Sequence, residues 1–131
     1  MRLLLDTHIL IVLARHELGR LGGSMASAVT STENVAFASA ASVWEIAIKS
    51  RLGKIDAGLP LDELPDYFQA IGLNLLVIDH RHAVRSLDPE PATRDPFDRL
   101  LLAQCAVEQL RLVTLDRVLA RHPLAWSEGN R

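Results

Sequence analysis

The chain has a single cysteine, Cys105, among its 131 residues, so no internal disulfide is open to it. It also lacks a strong charge of either sign. Sixteen acids stand against 14 Lys plus Arg, a formal net charge of −2. A protein that coats nucleic acid generally is basic, so any such contact here must come from a local patch. Lysine is scarce, with Lys49 and Lys54 the two examples and arginine supplying every other member of the Lys plus Arg set. Genome base composition explains that bias more simply than phosphate recognition does. No stretch approaches the ~20 apolar residues of a membrane span. The opening "MRLLLDTHILIVLARHE" superficially resembles a signal peptide, but Asp6 and His8 interrupt its apolar run and no small-residue cleavage site follows. These absences point to a cytoplasmic protein with no membrane association. What is present, 49% hydrophobic and 23% charged residues, is enough for one globular domain with a real core across residues 1–131.

Apolar runs alternate with helical patterns along the chain. "RLLLD" reads as a short buried strand ending at Asp6, followed by the helix "THILIVLARHE" with Thr7 as cap. "SMASAVTSTE" reads as a small-residue helix and "VAFAS" as a second strand. "SVWEIAIKSRLGK" follows as a helix, with Ser42 and Glu45 spaced as a capping box and Gly53 as its stop. "PLDELPDYFQAIG" is expected to be helical, "LNLLVID" a strand and "HRHAVRSL" a short helix. After the proline-rich "DPEPATRDP" comes a helix entered through Asp95 as N-cap and Pro96 as its first residue. "RLVTLD" is then a fourth strand, "RVLARH" a short helix, and "PLAW" an edge strand. The strands are continuous apolar runs, as in a parallel sheet covered on both faces. Cys105, in mid-helix, is expected to be a small buried hydrophobe.

The helix after Pro96 poses a question. Leu101, Leu102 and Cys105 stand three, four and seven residues beyond Asp98, so Asp98 heads the apolar stripe. A carboxylate aimed at a core needs a partner. In an open parallel sheet, sites form beyond the carboxyl ends of the strands. Asp6 and Asp116 close two strands there, and Glu45 and Asp98 fall in first turns of helices. Each acid also has a purely structural account. Asp6 and Asp116 can cap helices, and Glu45 can complete a capping box or pair with Lys49. Asp98 can answer a helix dipole. Together, four acids at one end of their elements would repel one another unless a cation sat among them. An all-oxygen cluster suits a hard divalent ion, Mg²⁺ or Mn²⁺.

"LLLDTHIL", "SVWEIAIKSRLGK", "RDPFDRLLLAQ" and "LVTLDRVLARH", in that order, resemble the sequence blocks of PIN-domain ribonucleases. The similarity is strongest to the VapC-like toxins of type II toxin–antitoxin systems, and it runs from about residue 2 to residue 122. The resemblance implies a single PIN domain over 1–131, an α/β fold of three layers (α/β/α) around a mainly parallel sheet of four to five strands. It implies Mg²⁺-dependent hydrolysis of RNA phosphodiester bonds, with Mn²⁺ as a substitute ion. Asp6, Glu45, Asp98 and Asp116 carry over as the catalytic, metal-binding acids, with Thr7 and Thr114 in support. The partners implied are an RNA such as tRNA or rRNA, a small antitoxin that covers the acidic site, and a second copy of the chain. The linker departs from many relatives, with Ala92 and Thr93 where a histidine is common.

Beside the acids, Lys49, Arg51, Arg94 and Arg99 are candidates for substrate phosphates, or else solvated surface charges. His80 and His82 form an H-x-H pair with no accompanying acid or cysteine constellation in the sequence, a poor zinc site. His8 is expected to pack near the site rather than ligate, and Trp44 and Trp126 to be core aromatics. A phosphatase with an aspartyl nucleophile would need D-x-D where this chain has "DTH". A receiver-like domain would need a late lysine. The non-enzymatic alternative is a degenerate PIN module that binds RNA or protein without catalysis; it predicts a missing acid, and none is missing.

Overall fold

The computed structural model describes residues 1–129. Four strands form one all-parallel sheet: β1 (Arg2–Leu5), β2 (Val35–Ser39), β3 (Asn74–Leu76) and β4 (Arg111–Val113), in the order β3-β2-β1-β4. Leu4 aligns with Phe37 of β2 on one side and Leu112 of β4 on the other. The "PLAW" segment contributes a lone parallel bridge, Ala125 to Leu112, rather than a strand. "LNLLVID" shortens to the three residues of β3, since beyond Leu76 the chain leaves the ladder.

Helices cover both faces, because the strands are apolar on both. Leu3 and Leu5 of β1 point to one side, where α1 (Thr7–Ala14), α2 (Gly23–Thr30) and α4 (Leu64–Ala70) supply Ile9, Leu10, Val29, Leu64 and Phe68. Leu4 points to the other, against Leu101, Leu102 and Cys105 of α6 (Pro96–Glu108). That is the period-two alternation of a strand feeding two cores. Leu3, Leu4 and Leu5 are fully buried, so truncating any of them to alanine should cost about 2–5 kcal/mol. Cys105 is fully buried too, and burial pushes its thiol far above the ordinary range, so it packs rather than reacts. A short α5 (His80–Val84) lies against α6.

The helix α3 (Ala40–Arg51) begins earlier than the S-x-x-E spacing suggests. Ser39, the last residue of β2, is its N-cap, with Oγ accepting from Ala41 N–H at 3.0 Å. Ser42 therefore lies inside the helix, and Glu45 is in its second turn, not in a capping box. Strand passes into helix with no loop between them, which swings α3 across the sheet's end to touch both α1 and α6. Gly53, just past the helix, takes φ 72°, the left-handed stop that only glycine adopts cheaply.

The first helix is capped by Asp6 rather than Thr7, its Oδ1 accepting from the Thr7 N–H at 2.7 Å. Asp95 caps α6 as expected, accepting from Phe97 N–H at 2.8 Å.

Candidate active site

Strand order reverses around β1: β2 lies on one side and β4, last in sequence, on the other. The crevice beyond their carboxyl ends is where α/β sheets place ligands. Asp6 stands at that point, its N–H donating to Val113 O at 2.9 Å and so tying it to β4. Its carboxylate is 3% exposed and both oxygens are engaged. Oδ1 takes the Thr7 N–H, and Oδ2 takes the Thr114 hydroxyl at 2.6 Å. Burial raises the Asp6 pKa; the Thr114 and Thr7 hydrogen bonds and the nearby His8 pull against it, and Glu45 adds to it.

Glu45 approaches from α3 and is 5% exposed. The Thr7 hydroxyl lies 2.7 Å from its Oε1 and 3.0 Å from Ser42 Oγ. Having one proton, Thr7 donates to the carboxylate, which leaves the serine hydroxyl to donate to Thr7. This contact explains the inward Ser42. The other Glu45 oxygen pairs with Lys49 one turn along the helix, so the ion pair allowed by the sequence is made. The pairing raises the Lys49 pKa, with Asp95 and Asp98 adding to the effect.

Asp98 enters from the first turn of α6, half-buried, with Oδ2 accepting from Thr93 Oγ1 at 3.1 Å. Its pKa is pushed up to about 6, first by burial, then by the negative charges of Asp95, Asp6 and Glu45. Three chain segments thus bring Asp6, Glu45 and Asp98 into one electrostatic field, with Lys49 as the amine facing them. The donor set is entirely oxygen and its charge predominantly negative, the chemistry a hard divalent cation selects. Among the described residues, though, the triad whose ligand atoms all lie within 4.8 Å of one another is Asp79, His82 and Glu108, not these three.

Asp116 sits differently. It is exposed, and its Oδ1 accepts from Val118 N–H and Leu119 N–H at 2.8 and 3.0 Å, capping the turn that leads into a short 3₁₀ segment, Leu119–Arg121. Its link to the crevice runs through Thr114, whose hydroxyl accepts from Asp116 N–H at 3.0 Å while donating to Asp6. Of the basic candidates, Lys49 is committed to Glu45 and Arg99 to Glu90, at 2.9 Å. Arg51 and Arg94 are exposed and make no ion pair among the described residues.

Two features lay outside the reach of the sequence. Trp44, expected in the core, is 59% exposed and meets Phe97 edge to face, ring centroids 5.6 Å apart. Trp126 does pack on the core. His82, which had no acidic company in the sequence, is 1% exposed and gains Asp79 and Glu108, their ligand atoms all within 4.8 Å of one another. Its Nδ1 accepts the Asp79 N–H, its Nε2 faces Glu108 at 2.7 Å, and Arg81 pairs with both acids. Both ring nitrogens and both acids are therefore already matched, and His80 stands outside the group. The Glu108 contact was invisible locally because the two residues come from different helices.

Among the described residues, no helix is long and apolar enough to cross a membrane. Over 67 residues, half of its length, the chain is 40% identical to Ribonuclease VapC16 of Mycobacterium tuberculosis, a match that covers 48% of that protein. The family model for the PIN domain matches residues 3–124, nearly the whole chain and all four acids of the crevice blocks, and by that match the protein belongs to the PIN domain family.

Proposed function

We propose that this chain, a single PIN domain over 1–131, is a divalent-metal-dependent endoribonuclease, with Mg²⁺ as its ion and Mn²⁺ as a substitute. The observation that carries this reading is that Asp6, Glu45 and Asp98, from three distant segments, share one electrostatic field at the carboxyl end of the sheet. There burial first, and then the charges of Asp95, Asp6 and Glu45, raise the Asp98 pKa. The name of the similar mycobacterial protein, a ribonuclease, supports the same reaction class.

Asp6, Glu45 and Asp98 would hold the ion. When bound, a divalent cation would neutralise charge growing on a phosphodiester and lower the pKa of a water so that hydroxide is available to attack it. The chain's own residues prepare that site. Thr114 and Thr7 fix the orientation of Asp6 and Glu45 through their hydroxyls, as supporting partners of metal ligands do. Asp98 keeps one oxygen outside its Thr93 hydrogen bond, available for direct coordination. Asp116 acts at one remove, by steadying Thr114, or binds a further ion or an ordered water. Arg51 and Arg94, near the acidic blocks in sequence, are the cations for the RNA backbone, while Lys49, paired with Glu45, and Arg99, held by Glu90, have smaller parts.

Within the cell we place this activity in the cytoplasm, as the toxin of a type II toxin–antitoxin pair, restrained by a small antitoxin over the acidic crevice. We assign it a dimeric state and, because phosphate contacts position without reading sequence, a structured RNA such as tRNA or rRNA as substrate. One observation favours the alternative, a PIN module that binds without cutting: Asp6 and Glu45 already have both oxygens hydrogen-bonded. Incubating labelled total RNA with the protein in Mg²⁺, in EDTA, and with the Asp6→Asn variant separates the two. Discrete cleavage in Mg²⁺ alone is expected. Binding without cleavage establishes the alternative, and cleavage that survives both EDTA and Asp6→Asn refutes the metal site.

A further inference from the structure

Two aromatic side chains stand next in sequence to crevice acids, and the chemistry of the crevice leaves them unused. Trp44 immediately precedes Glu45 on α3, and Phe97 immediately precedes Asp98 on α6, so each ring is anchored about 3.8 Å along the chain from a crevice acid. The two rings meet edge to face across the gap between these helices. An indole more than half exposed contributes little to folding, which leaves its presence at this spot unexplained by the core.

Its surroundings define what could cover it. Seven residues beyond Trp44, on the same face of α3, lies the exposed Arg51, and Arg94 and Asp95 precede Phe97. Two rings fenced by charged side chains are too small a surface for the apolar face of a partner helix, which needs anchors over several turns. They match the size and shape of one nucleobase. An exposed aromatic face with Arg51 about two turns along its helix and Arg94 three residues before Phe97, next in sequence to a site for a phosphodiester, suits single-stranded nucleic acid.

We propose that Trp44, braced by Phe97, is a stacking platform for an unpaired nucleobase flanking the scissile phosphate, and that it selects single-stranded over base-paired RNA. The assignment rests on the nuclease reading for its substrate class. Geometry supplies the bracing: Phe97 packs against the indole at an interplanar angle of 76°, while Trp44 stays more than half exposed.

Two measurements test it. In a Trp126→Phe, Asp98→Asn protein, Trp44 is the remaining tryptophan, and titration with a short mixed-sequence single-stranded RNA should quench its fluorescence saturably, with the duplexed form of that RNA quenching far less. In the otherwise native enzyme, Trp44→Ala should raise KM for single-stranded RNA about tenfold, within the roughly 5- to 150-fold that base stacking on an aromatic supplies. Its kcat and melting temperature should stay near those of the native protein. Trp44→Phe should recover most of the loss, and Trp44→Leu, apolar but without a π face, should not. Native cleavage with KM unmoved by Trp44→Ala overturns the platform and leaves the nuclease standing. Quenching by RNA in a protein that never cuts it leaves the platform standing and removes the nuclease. Recovery by leucine equal to that by phenylalanine, or quenching by a co-expressed protein partner but not by RNA, overturns the platform.

Discussion

Asp98→Asn should make the metal-free protein more stable at neutral pH, not less. The reason is the company Asp98 keeps. Burial and the charges of Asp95, Asp6 and Glu45 lift its pKa from the ordinary 3.8 to about 6. At about 1.4 kcal/mol per pH unit, that gap sets a ceiling of about 3 kcal/mol on the cost of holding the carboxylate ionised in the fold. Asp98 is only half-buried, and solvent screening reduces the figure to about 1–2 kcal/mol. Asparagine keeps an oxygen for the Thr93 hydroxyl, so no hydrogen bond need be lost.

The sign follows from proton binding. Between pH 3.8 and about 6 the folded state holds more protons on this group than the unfolded state does, so wild-type stability falls as pH rises through that window. Below it the group is protonated in both states and the penalty is absent. The variant should therefore match wild type near about pH 4 and exceed it by about 1–2 kcal/mol at about pH 8, some 3–8 °C in melting temperature for a chain of this size. Thermal melts by circular dichroism in EDTA, at several pH values, read this directly. Adding Mg²⁺ should reverse the order, since ligand binding stabilises the native state that retains its carboxylates. A variant that melts well below wild type in EDTA at about pH 8 would refute the argument and make Asp98 a structural group.

Thr114→Val deprives buried Asp6 of its hydroxyl donor and should cost about 1–3 kcal/mol. It should also weaken Mn²⁺ binding about 10- to 100-fold in calorimetric titration, with Thr114→Ser restoring both; unchanged binding would remove Thr114 from the site's support. Asp116→Asn can still cap its turn and should melt like wild type, whereas Asp116→Ala should lose about 0.5–2 kcal/mol. If Asp116 also serves the reaction, the Asn variant slows RNA cleavage while its melt is unmoved; equal rates would confine Asp116 to the cap. Arg51→Ala and Arg94→Ala should each reduce the salt dependence of RNA binding by about one unit of slope, while Arg99→Ala, whose guanidinium is held by Glu90, should change it little. Filter binding across a salt series distinguishes the three, and an Arg99 effect as large as the others would show that the Glu90 pair opens to the substrate.

The parts of this protein that the sequence determined by itself are those governed by nearest neighbours along the chain. Apolar runs too short for helices became β1 and β2, because a parallel sheet buried on both faces needs unbroken hydrophobic residues. Asp95 and Pro96 started α6 where they stand, since an N-cap and a proline at the first helical position act on the backbone locally. The acids could be named because they sit in recognisable blocks. Where those acids point, and what else joins them, was decided by packing. Both Ser39 and Ser42 can cap a helix, and the spacing to Glu45 favours Ser42. The fold caps with Ser39 because Ser42 is needed inward against Thr7, 35 residues away. The phase of α3 follows from that choice, and it turns Glu45 into the crevice and Trp44 out toward Phe97. His82 finds Glu108, 26 residues on, because α5 lies on α6. Asp116 bears a site signature but gives one carboxylate oxygen to a turn. Caps and apolar runs depend on energies within a few residues, whereas side-chain direction and company depend on which helix face another element covers, and only the assembled layers set that.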